Sequence, residues 1–456
     1  MARRLPSERS NWGGARAALL AVLAGAAALR LVGIQYGLPY GSLLDPDEQN
    51  VVPRAWRMTH GGGLNPHFFD WPTLVTYALA PFQAWQGSPS YLTGRLVVGV
   101  FALGGVAAAW WLGSLAYGTV AGIVAATATA VSTTLVAFSH AAVTDVPLAT
   151  FVTLALALLV AGRYELAGVS IGLAAAAKYP GALVLVPLVV VLWRRWGKLA
   201  LSAGLACATF FLASPFVVLD AGSTWSALRR IGREHRRGWL GFEHDHWSGI
   251  AFAGRLWDAL GPVLVIAVAA LVVALVRRSS RGDLVLGSFV VVYYLSLLPL
   301  HSHFPRYVLP LVSPLGALAG RFRSLAPVTL LLLAVPLTWS IRDDIRLTRA
   351  DTRIVAARWI DAHVPKGSLI AAESSTALPS GYRDVPIPLP MPGEDARVDL
   401  DGASWVVVSG AVADRVLAAQ DVYPRRSAFY AELPRPAFRV ASGHGLSGPW
   451  VAVYKR

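Results

Sequence analysis

Three carboxylates stand close together early in the chain, where a long apolar run has just ended. Asp45, Asp47 and Glu48 flank Pro46 and follow the first stretch that is long enough to cross a membrane. Carboxylates at a membrane boundary are costly unless they have a function. Because a carboxylate can accept the proton of a hydroxyl or amine nucleophile, this cluster is a candidate for general base catalysis.

The same residues also match the start of a helix. Asp45 resembles an N-cap, Pro46 would take the first helical position, and Glu48 has the spacing of a capping box. Capping therefore accounts for Asp45 and can also account for Glu48. Asp47 has no such structural duty, and we predict that Asp47 is the catalytic base, with Glu48 beside it.

Further candidate groups are separated from this cluster by apolar runs. Asp145 begins one such run just before a proline, Lys178 lies at a break in another, and Arg306 precedes a third. Since Arg and Lys stabilise negative charge on a departing phosphate, the set predicts transfer of a group away from a phosphate. Each residue also has an ordinary alternative: Asp145 can cap a helix, and Lys178 and Arg306 can flank a span.

The composition indicates that a membrane holds these groups together. The chain of 456 residues is 55% hydrophobic and 14% charged, whereas soluble domains are about 25% charged. We predict a polytopic α-helical membrane protein with about 11 spans and a cytoplasmic N-terminus. The expected spans are residues 17–37, 92–115, 119–138, 146–162, 166–178, 180–193, 199–219, 259–276, 284–300, 307–320 and 325–341.

The distribution of charge favours this orientation. Residues 1–340 hold 25 Lys and Arg and 13 Asp and Glu, and the expected cytoplasmic segments, beginning with Arg3 and Arg4, are strongly basic. The positive-inside rule is thus satisfied, and the acids collect on the outer side. The net charge of +14 is explained by orientation and phosphate contacts and not by nucleic-acid binding. A cleaved signal peptide is the alternative interpretation of the first apolar run.

Two outer loops and a soluble domain complete the predicted organisation. Residues 38–89 form a first outer loop whose helices lie along the membrane surface. Residues 220–258 form a large basic outer loop, in which Arg236 and Arg237 are candidates to bind the phosphate. A transmembrane catalytic domain then covers residues 1–341, and a small extracytoplasmic α/β domain covers residues 342–456. Its predicted helices are 352–363 and 411–420, and its predicted strands are 368–372, 404–409 and 450–454.

The order of these short motifs resembles a known family. An Asp-Glu pair, an acid-Trp-Pro stretch, Thr-Asp-x-Pro-Leu, Lys-Tyr-Pro and Arg-Tyr-x-Leu-Pro follow one another, and a C-terminal outer domain comes last. These motifs begin at Asp47, Asp70, Thr144, Lys178 and Arg306. The layout of the whole chain is similar to that of the GT-C glycosyltransferases, in particular the family 39 type, which includes protein O-mannosyltransferases and lipid A aminoarabinose transferases.

The resemblance implies an inverting transfer of sugar from a polyprenyl-phosphate donor on the extracytoplasmic face. Asp47 matches the catalytic carboxylate of the family, and Asp145 matches a second acid that positions donor or acceptor. Lys178 and Arg306 match the cations that hold the donor phosphate. The acceptor would be a lipid, a glycan or a protein, and membrane lipids would surround the spans. The resemblance implies no nucleic-acid partner and places the protein in a bacterial plasma membrane.

A divalent metal site is also implied, because Asp70 falls where some relatives carry a metal-binding Glu. His244 in the basic outer loop would be its partner ligand. The acid is followed by Trp71 and Pro72 in this chain, in place of the Lys found in the lipid A enzymes. Two other functions stay open: a lipid-linked sugar transporter or flippase, and a surface-glycan ligase or polymerase. Transporters usually carry paired repeats with binding groups near mid-membrane, whereas these charges cluster at one face.

Overall fold

The computed structural model describes residues 6–43, 45–400, 402–443 and 445–456. Arg3 and Arg4, which belong to the predicted cytoplasmic charge, lie outside the described residues. The described part is largely helical up to residue 347, and strands appear only after that point. Eighteen described α-helices precede the first strand, and four 3₁₀ helices lie between them.

The helices in chain order carry the labels α1 to α18. They are α1 (Pro6–Leu31), α2 (Pro46–Thr59), α3 (Leu74–Gln83), α4 (Tyr91–Tyr117), α5 (Thr119–Val131), α6 (Thr133–Ser139), α7 (Asp145–Ala161), α8 (Tyr164–Ala177), α9 (Leu185–Leu192), α10 (Trp196–Ala213), α11 (Phe216–Leu219), α12 (Ala221–Arg237), α13 (Ser248–Leu260), α14 (Val263–Arg277), α15 (Arg281–Leu297), α16 (Leu309–Ala319), α17 (Ala326–Leu332) and α18 (Ala334–Leu347). The 3₁₀ helices are Gly41–Leu43, Tyr179–Val184, Pro305–Val308 and Arg323–Leu325.

Several of these helices are long and apolar enough to cross a membrane. By length and composition the described residues contain four such helical segments, or up to six if each of two bent pairs counts as one span. The four segments are Gly14–Leu31, Tyr91–Tyr117, Trp196–Ala213 and Arg323–Leu347. The bent pairs are α5 with α6, at 54°, and α13 with α14, at 117°. The chain is therefore an apolar helical protein with several candidate spans, while the count of eleven stays a prediction.

The helices share one core, in which α4, α5, α7 and α16 pack closely together. Small residues permit this closeness, as is common between helices in membranes. A Cβ atom on Gly94 of α4 would lie 2.9 Å from Val52 of α2 and 3.0 Å from Ala142. Gly94 thus lets α4 approach α2 and the segment that leads into α7 closely, because any larger residue would force these side chains to move.

The C-terminal region is a small α/β unit. Its elements are β1 (Ala350–Asp351), α19 (Thr352–His363), β2 (Leu369–Glu373), β3 (Arg383–Ile387), β4 (Trp405–Ser409), α20 (Gly410–Ala418), α21 (Pro424–Glu432), β5 (Phe438–Val440), β6 (Leu446–Ser447) and β7 (Val451–Lys455). The main sheet has the order β3-β2-β4-β7-β5, in which β2 runs parallel to β3 and β4 while β7 is antiparallel to its neighbours. Helix α19 packs on one face of the sheet, and α20 and α21 pack on the other.

Several predicted elements are confirmed. The helix predicted at 352–363 has those bounds, and the three predicted strands and the helix 411–420 match β2, β4, β7 and α20 within two residues at each end. The first loop contains the two predicted helices, α2 and α3, although their position along a membrane surface stays a prediction. The span predicted at 119–138 is broken at Ser132 into a bent pair. Helix α13, strand β3 and helix α21 were not predicted.

Candidate active site

The N-terminus of α2 positions two of the candidate carboxylates. Asp45 caps the helix: its Oδ1 accepts a hydrogen bond from the amide of Asp47 at 2.8 Å, and Glu48 Oε1 accepts one from the amide of Asp45 at 3.2 Å. The predicted capping box is therefore confirmed. It fixes the first turn of α2 and leaves the side chain of Asp47 free to point away from the cap.

Glu48 lies in a buried ion pair. Its carboxylate receives two hydrogen bonds from the Arg95 guanidinium, at 2.7 and 3.0 Å, and a third from the amide of Ala142 at 3.1 Å. The side chain is fully buried. Because these donors and the capping bond engage both of its oxygens, Glu48 holds α2 against α4 and against the segment before α7. This placement favours a positioning role for Glu48 over direct contact with a substrate.

Asp47 forms the first of two carboxylate–cation pairs at this end of the helical bundle. Arg306, in the 3₁₀ helix Pro305–Val308, donates from Nη1 to Asp47 Oδ2 at 2.5 Å. Burial alone would lower the pKa of Arg306, but the charges of Asp47 and Asp145 outweigh burial and raise that pKa. Arg306 is thus a permanent cation that lies close to both carboxylates.

Asp145 and Lys178 form the second pair. Asp145 is the first residue of α7, only 1% exposed, and its Oδ1 accepts from Lys178 Nζ at 2.7 Å. Lys178 follows α8 in an extended conformation. The chain then turns back sharply, since a Cβ atom on Gly181 would lie 2.2 Å from the carbonyl carbon of Ala174. This tight turn directs Lys178 toward the start of α7.

Tyr307 joins the two pairs. Lys178 Nζ lies 5.5 Å from the centroid of its ring, and Arg306 Cζ lies 6.0 Å from it. His235, near the end of α12, lies with Nε2 3.1 Å from the Tyr307 hydroxyl. Burial, together with the charges of Lys178 and Arg306, lowers the pKa of His235 and so favours the neutral imidazole. The basic loop 220–258 therefore reaches the site through a histidine.

Two polar atoms in this cluster have unused hydrogen-bonding capacity. Asp145 Oδ2 and Arg306 Nε are both buried, and within the described ranges neither makes a hydrogen bond. A buried polar atom without a partner is costly, so such atoms mark a place where a ligand can bind. The arrangement can orient a hydroxyl through a carboxylate and stabilise an anion through Lys178 and Arg306.

The other predicted residues lie apart from this cluster. Arg236 and Arg237 are exposed, and Arg237 is bonded to Pro392 and Glu394 of the C-terminal region. The prediction that they hold the donor phosphate therefore has no support from their contacts, because the last turn of α12 directs Arg237 toward the C-terminal region.

The two predicted metal ligands are also engaged elsewhere. Asp70 is paired with Arg230, and its pKa is raised because burial outweighs the charges of Arg230 and Arg54. His244 Nε2 lies 3.0 Å from Asp421 Oδ1 in the C-terminal region. Across the described residues, no group of three or more His, Cys, Asp and Glu side chains is arranged to hold a metal ion. The residues present do not fit the predicted pairing of Asp70 with His244.

Sequence reasoning missed four residues of this region. Tyr307 and His235 complete the cluster, Arg95 neutralises Glu48, and Arg230 neutralises Asp70. A signal was present for Arg95, because an isolated Arg near the start of a long apolar run needs a buried partner. His235 lies in a run of basic residues and gave no comparable signal.

No family model matches the chain, and no curated protein matches its sequence. Its fold, however, is similar to solved structures. ArnT from Cupriavidus metallidurans in the apo state is 16% identical with a TM-score of 0.54, over 98% of each chain. The same protein bound to undecaprenyl phosphate is 16% identical with a TM-score of 0.51, over 75% of this chain and 72% of that one.

A second similar structure is the Archaeoglobus fulgidus oligosaccharyltransferase in complex with Zn and sulfate. It is 13% identical, with a TM-score of 0.57, over 95% of this chain and 72% of that chain. At these identities the likeness concerns the fold alone. With a largely helical body, several candidate membrane spans and a small C-terminal α/β region, the chain has a fold like that of the GT-C glycosyltransferases.

Proposed function

We propose that this protein is an inverting glycosyltransferase of the family 39 type. It would move a sugar from a polyprenyl-phosphate donor to an acceptor at the extracytoplasmic face of a bacterial plasma membrane. The observation that carries the proposal is the convergence of Asp47–Arg306 and Asp145–Lys178 around Tyr307. Two carboxylates and two cations at one end of a helical bundle suit a reaction in which a hydroxyl loses a proton while a phosphate departs.

The proposed step forms one bond and breaks one bond. The acceptor hydroxyl, hydrogen-bonded to Asp47, attacks the anomeric carbon from the face opposite the phosphate. The bond between that carbon and the phosphate oxygen breaks, and its electron pair leaves with the polyprenyl phosphate. The hydroxyl proton passes to Asp47. Arg306 and Lys178 stabilise the departing phosphate, which is a weak base and needs no general acid.

The unused polar atoms have roles in this scheme. Arg306 Nε would donate to the donor phosphate, and Asp145 Oδ2 would accept from a sugar hydroxyl. The lipid tail would lie between spans of the domain 1–341, and the domain 342–456 would stand outside the membrane. A divalent metal has no step here, because its predicted ligands Asp70 and His244 have other partners.

The test is donor cleavage by the purified full chain in liposomes. The donors are undecaprenyl-phosphate sugars that carry mannose, arabinose or aminoarabinose, and the readout is release of undecaprenyl phosphate. We expect the wild-type protein to release it and Asp47→Asn to lose at least about 100-fold in rate, the lower range for a missing general base. Donor binding should persist, because the variant frees Arg306 for the phosphate.

Asp258→Asn is the matched control, since Asp258 is an exposed carboxylate paired with Arg255 in the basic outer loop. It should keep the wild-type rate. Cleavage at the wild-type rate by Asp47→Asn would remove Asp47 from the mechanism. Movement of intact lipid-linked sugar across the bilayer without cleavage would establish the transporter or flippase instead, and transfer of whole chains in place of one sugar would establish a ligase or polymerase.

A further inference from the structure

A cavity lies beside the N-terminus of α2 and is lined in part by Asp45 and Glu48. It has a volume of about 310 Å³ and is lined mainly by the segment before α2, by α6 and by the end of α18. This volume is at the lower end of the range for small-molecule pockets. Its lining is acidic: Asp45, Glu48, Asp343 and Asp344 face it, against Arg95.

Asp344 is the most unusual group in this lining. The residue is 3% exposed, and within the described part of the chain its Oδ2 makes no hydrogen bond. The nearest ion-pair partner is His140, whose Nε2 lies 3.8 Å from Asp344 Oδ1. Both ring nitrogens of His140 already lie at hydrogen-bond distance from the carbonyls of Val32 and Val136, at 2.8 and 2.9 Å. A buried carboxylate oxygen therefore faces a cavity without a donor.

The other charged residues that line the cavity do not supply a hydrogen-bond donor to Asp344. Arg95 is taken up by Glu48, and Asp343 is paired with Arg346. Of the described residues, no Lys or Arg lies within 4.0 Å of the carboxylates of Asp45 or Asp344. An unpaired buried carboxylate is strongly disfavoured, so the cavity suits a ligand that brings positive charge and hydrogen-bond donors.

We propose that this cavity binds the primary ammonium group of a small ligand, either an amino sugar or an ethanolamine phosphate headgroup. A metal ion is a poorer fit, because the described residues offer no three metal-ligating side chains in one place. An ammonium carries three donors, which suits a site where Asp344 Oδ2 makes no hydrogen bond and Asp45 supplies a second carboxylate. Tyr36, which lines the same cavity, adds an aromatic ring that favours a cation.

The cavity adjoins the candidate active site through one residue. Asp45 lines the cavity, and its side chain accepts from the amide of Asp47. A ligand held by Asp344 and Asp45 would therefore lie beside the first turn of α2. The inference concerns binding alone and does not depend on the proposed transfer reaction.

The test is calorimetric titration of the full chain in nanodiscs of phosphatidylglycerol, which has no amine. One arm compares glucosamine with N-acetylglucosamine, in which the amine is blocked. The other compares phosphoethanolamine with inorganic phosphate. We expect one of the two amines to bind more tightly than its amine-free counterpart, and the arm that responds identifies the source of the ammonium.

Three variants distinguish binding at this cavity from general effects of charge or folding. Asp344→Asn removes the charge, and Ala137→Leu fills the cavity from α6 without changing charge; each should weaken binding at least tenfold. Asp361→Asn alters an exposed carboxylate paired with Lys366, far along the chain in α19, and should leave affinity within about twofold.

The thermal unfolding temperature checks that each variant is folded, and the uncharged Ala137→Leu variant keeps the test decisive if Asp344→Asn does not fold. Equal affinity in Asp344→Asn and Asp361→Asn, or no preference for either amine, would overturn the proposal.

Discussion

Asp145 and Lys178 present a buried charge pair whose structural and chemical roles can be separated. The carboxylate is almost completely buried, and Lys178 Nζ holds it at 2.7 Å. Removing one member of such a pair leaves the other charge uncompensated. We expect Lys178→Met to lower the free energy of unfolding by about 3 kcal/mol or more and to abolish donor cleavage.

The double variant Lys178→Met/Asp145→Asn separates the loss of stability from the loss of cleavage. With no unpaired charge left, most of the lost stability should return, while cleavage should stay absent because the phosphate has lost a cation. Thermal unfolding and undecaprenyl phosphate release measure the two effects on the same preparations. Recovery of cleavage together with stability would mean that the pair is only structural.

At the scale of single residues, the sequence predicted local contacts better than contacts between residues far apart in the chain. The cap at Asp45 is confirmed because capping is local, and its partners lie within three positions. Asp47 and Arg306 are separated by 259 positions, so their contact depends on how the helices pack. The same limit explains why Asp70 was expected beside His244 when the fold instead pairs it with Arg230.

At the scale of the elements, the N-terminus of α2 lowers the stability of the folded protein by an amount that depends on pH. Burial, followed by the charge of Asp47, raises the pKa of Asp45 from 3.8 to about 6. Between these values the folded protein binds a proton that the unfolded chain releases, so stability falls as pH rises from about 4 to about 6. The cap is thus retained at the expense of stability near neutral pH.

Asp45→Asn should remove this dependence. Asn caps helices as well as Asp does, so the variant keeps the cap and loses the charge. We expect it to be more stable than the wild type at pH 7, by about 1–2 kcal/mol after allowance for partial exposure, and nearly equal at pH 4. Thermal unfolding across this range measures the difference, and a constant difference at all pH values would contradict it.

Element types were easier to predict than element directions. Apolar runs identified most helices, and shorter apolar runs identified three strands of the C-terminal sheet. A hydrophobic run, however, does not record where a helix bends: α5 and α6 form one apolar stretch that turns by 54° at Ser132. Helix α13 escaped prediction because it lies in a loop that was interpreted by its charge alone.

At the scale of the whole molecule, the loop 220–258 contacts the C-terminal region at several places. Two of them, Arg237–Glu394 and His244–Asp421, involve largely exposed groups, and such pairs contribute little. Tyr423 differs, since it is fully buried and donates to Glu243 at 2.6 Å. Packing of Tyr423 against Leu240 should therefore contribute more to the contact between loop 220–258 and the C-terminal region than the two exposed pairs do.

Two single substitutions compare these contacts. Glu394→Gln should change the free energy of unfolding by less than about 1 kcal/mol. Tyr423→Phe leaves the ring in place but removes the donor to Glu243, and we expect a loss of about 1–2 kcal/mol. Thermal unfolding and the rate of proteolysis between residues 341 and 350 report the two effects. A larger loss for Glu394→Gln would assign the docking to the surface pair.

In the proposed transfer reaction, the ion pair between Asp47 and Arg306 has a consequence for the order in which donor and acceptor bind. Arg306 Nη1 donates to Asp47 Oδ2, a carboxylate oxygen that an incoming hydroxyl would need. A donor phosphate competes for Arg306 and releases that oxygen, so the acceptor can be activated only after the donor has arrived. We therefore expect compulsory-order kinetics with the donor first, in which undecaprenyl phosphate competes with the donor and not with the acceptor. The resting protein would then be unable to activate water or a stray hydroxyl before a sugar is in place.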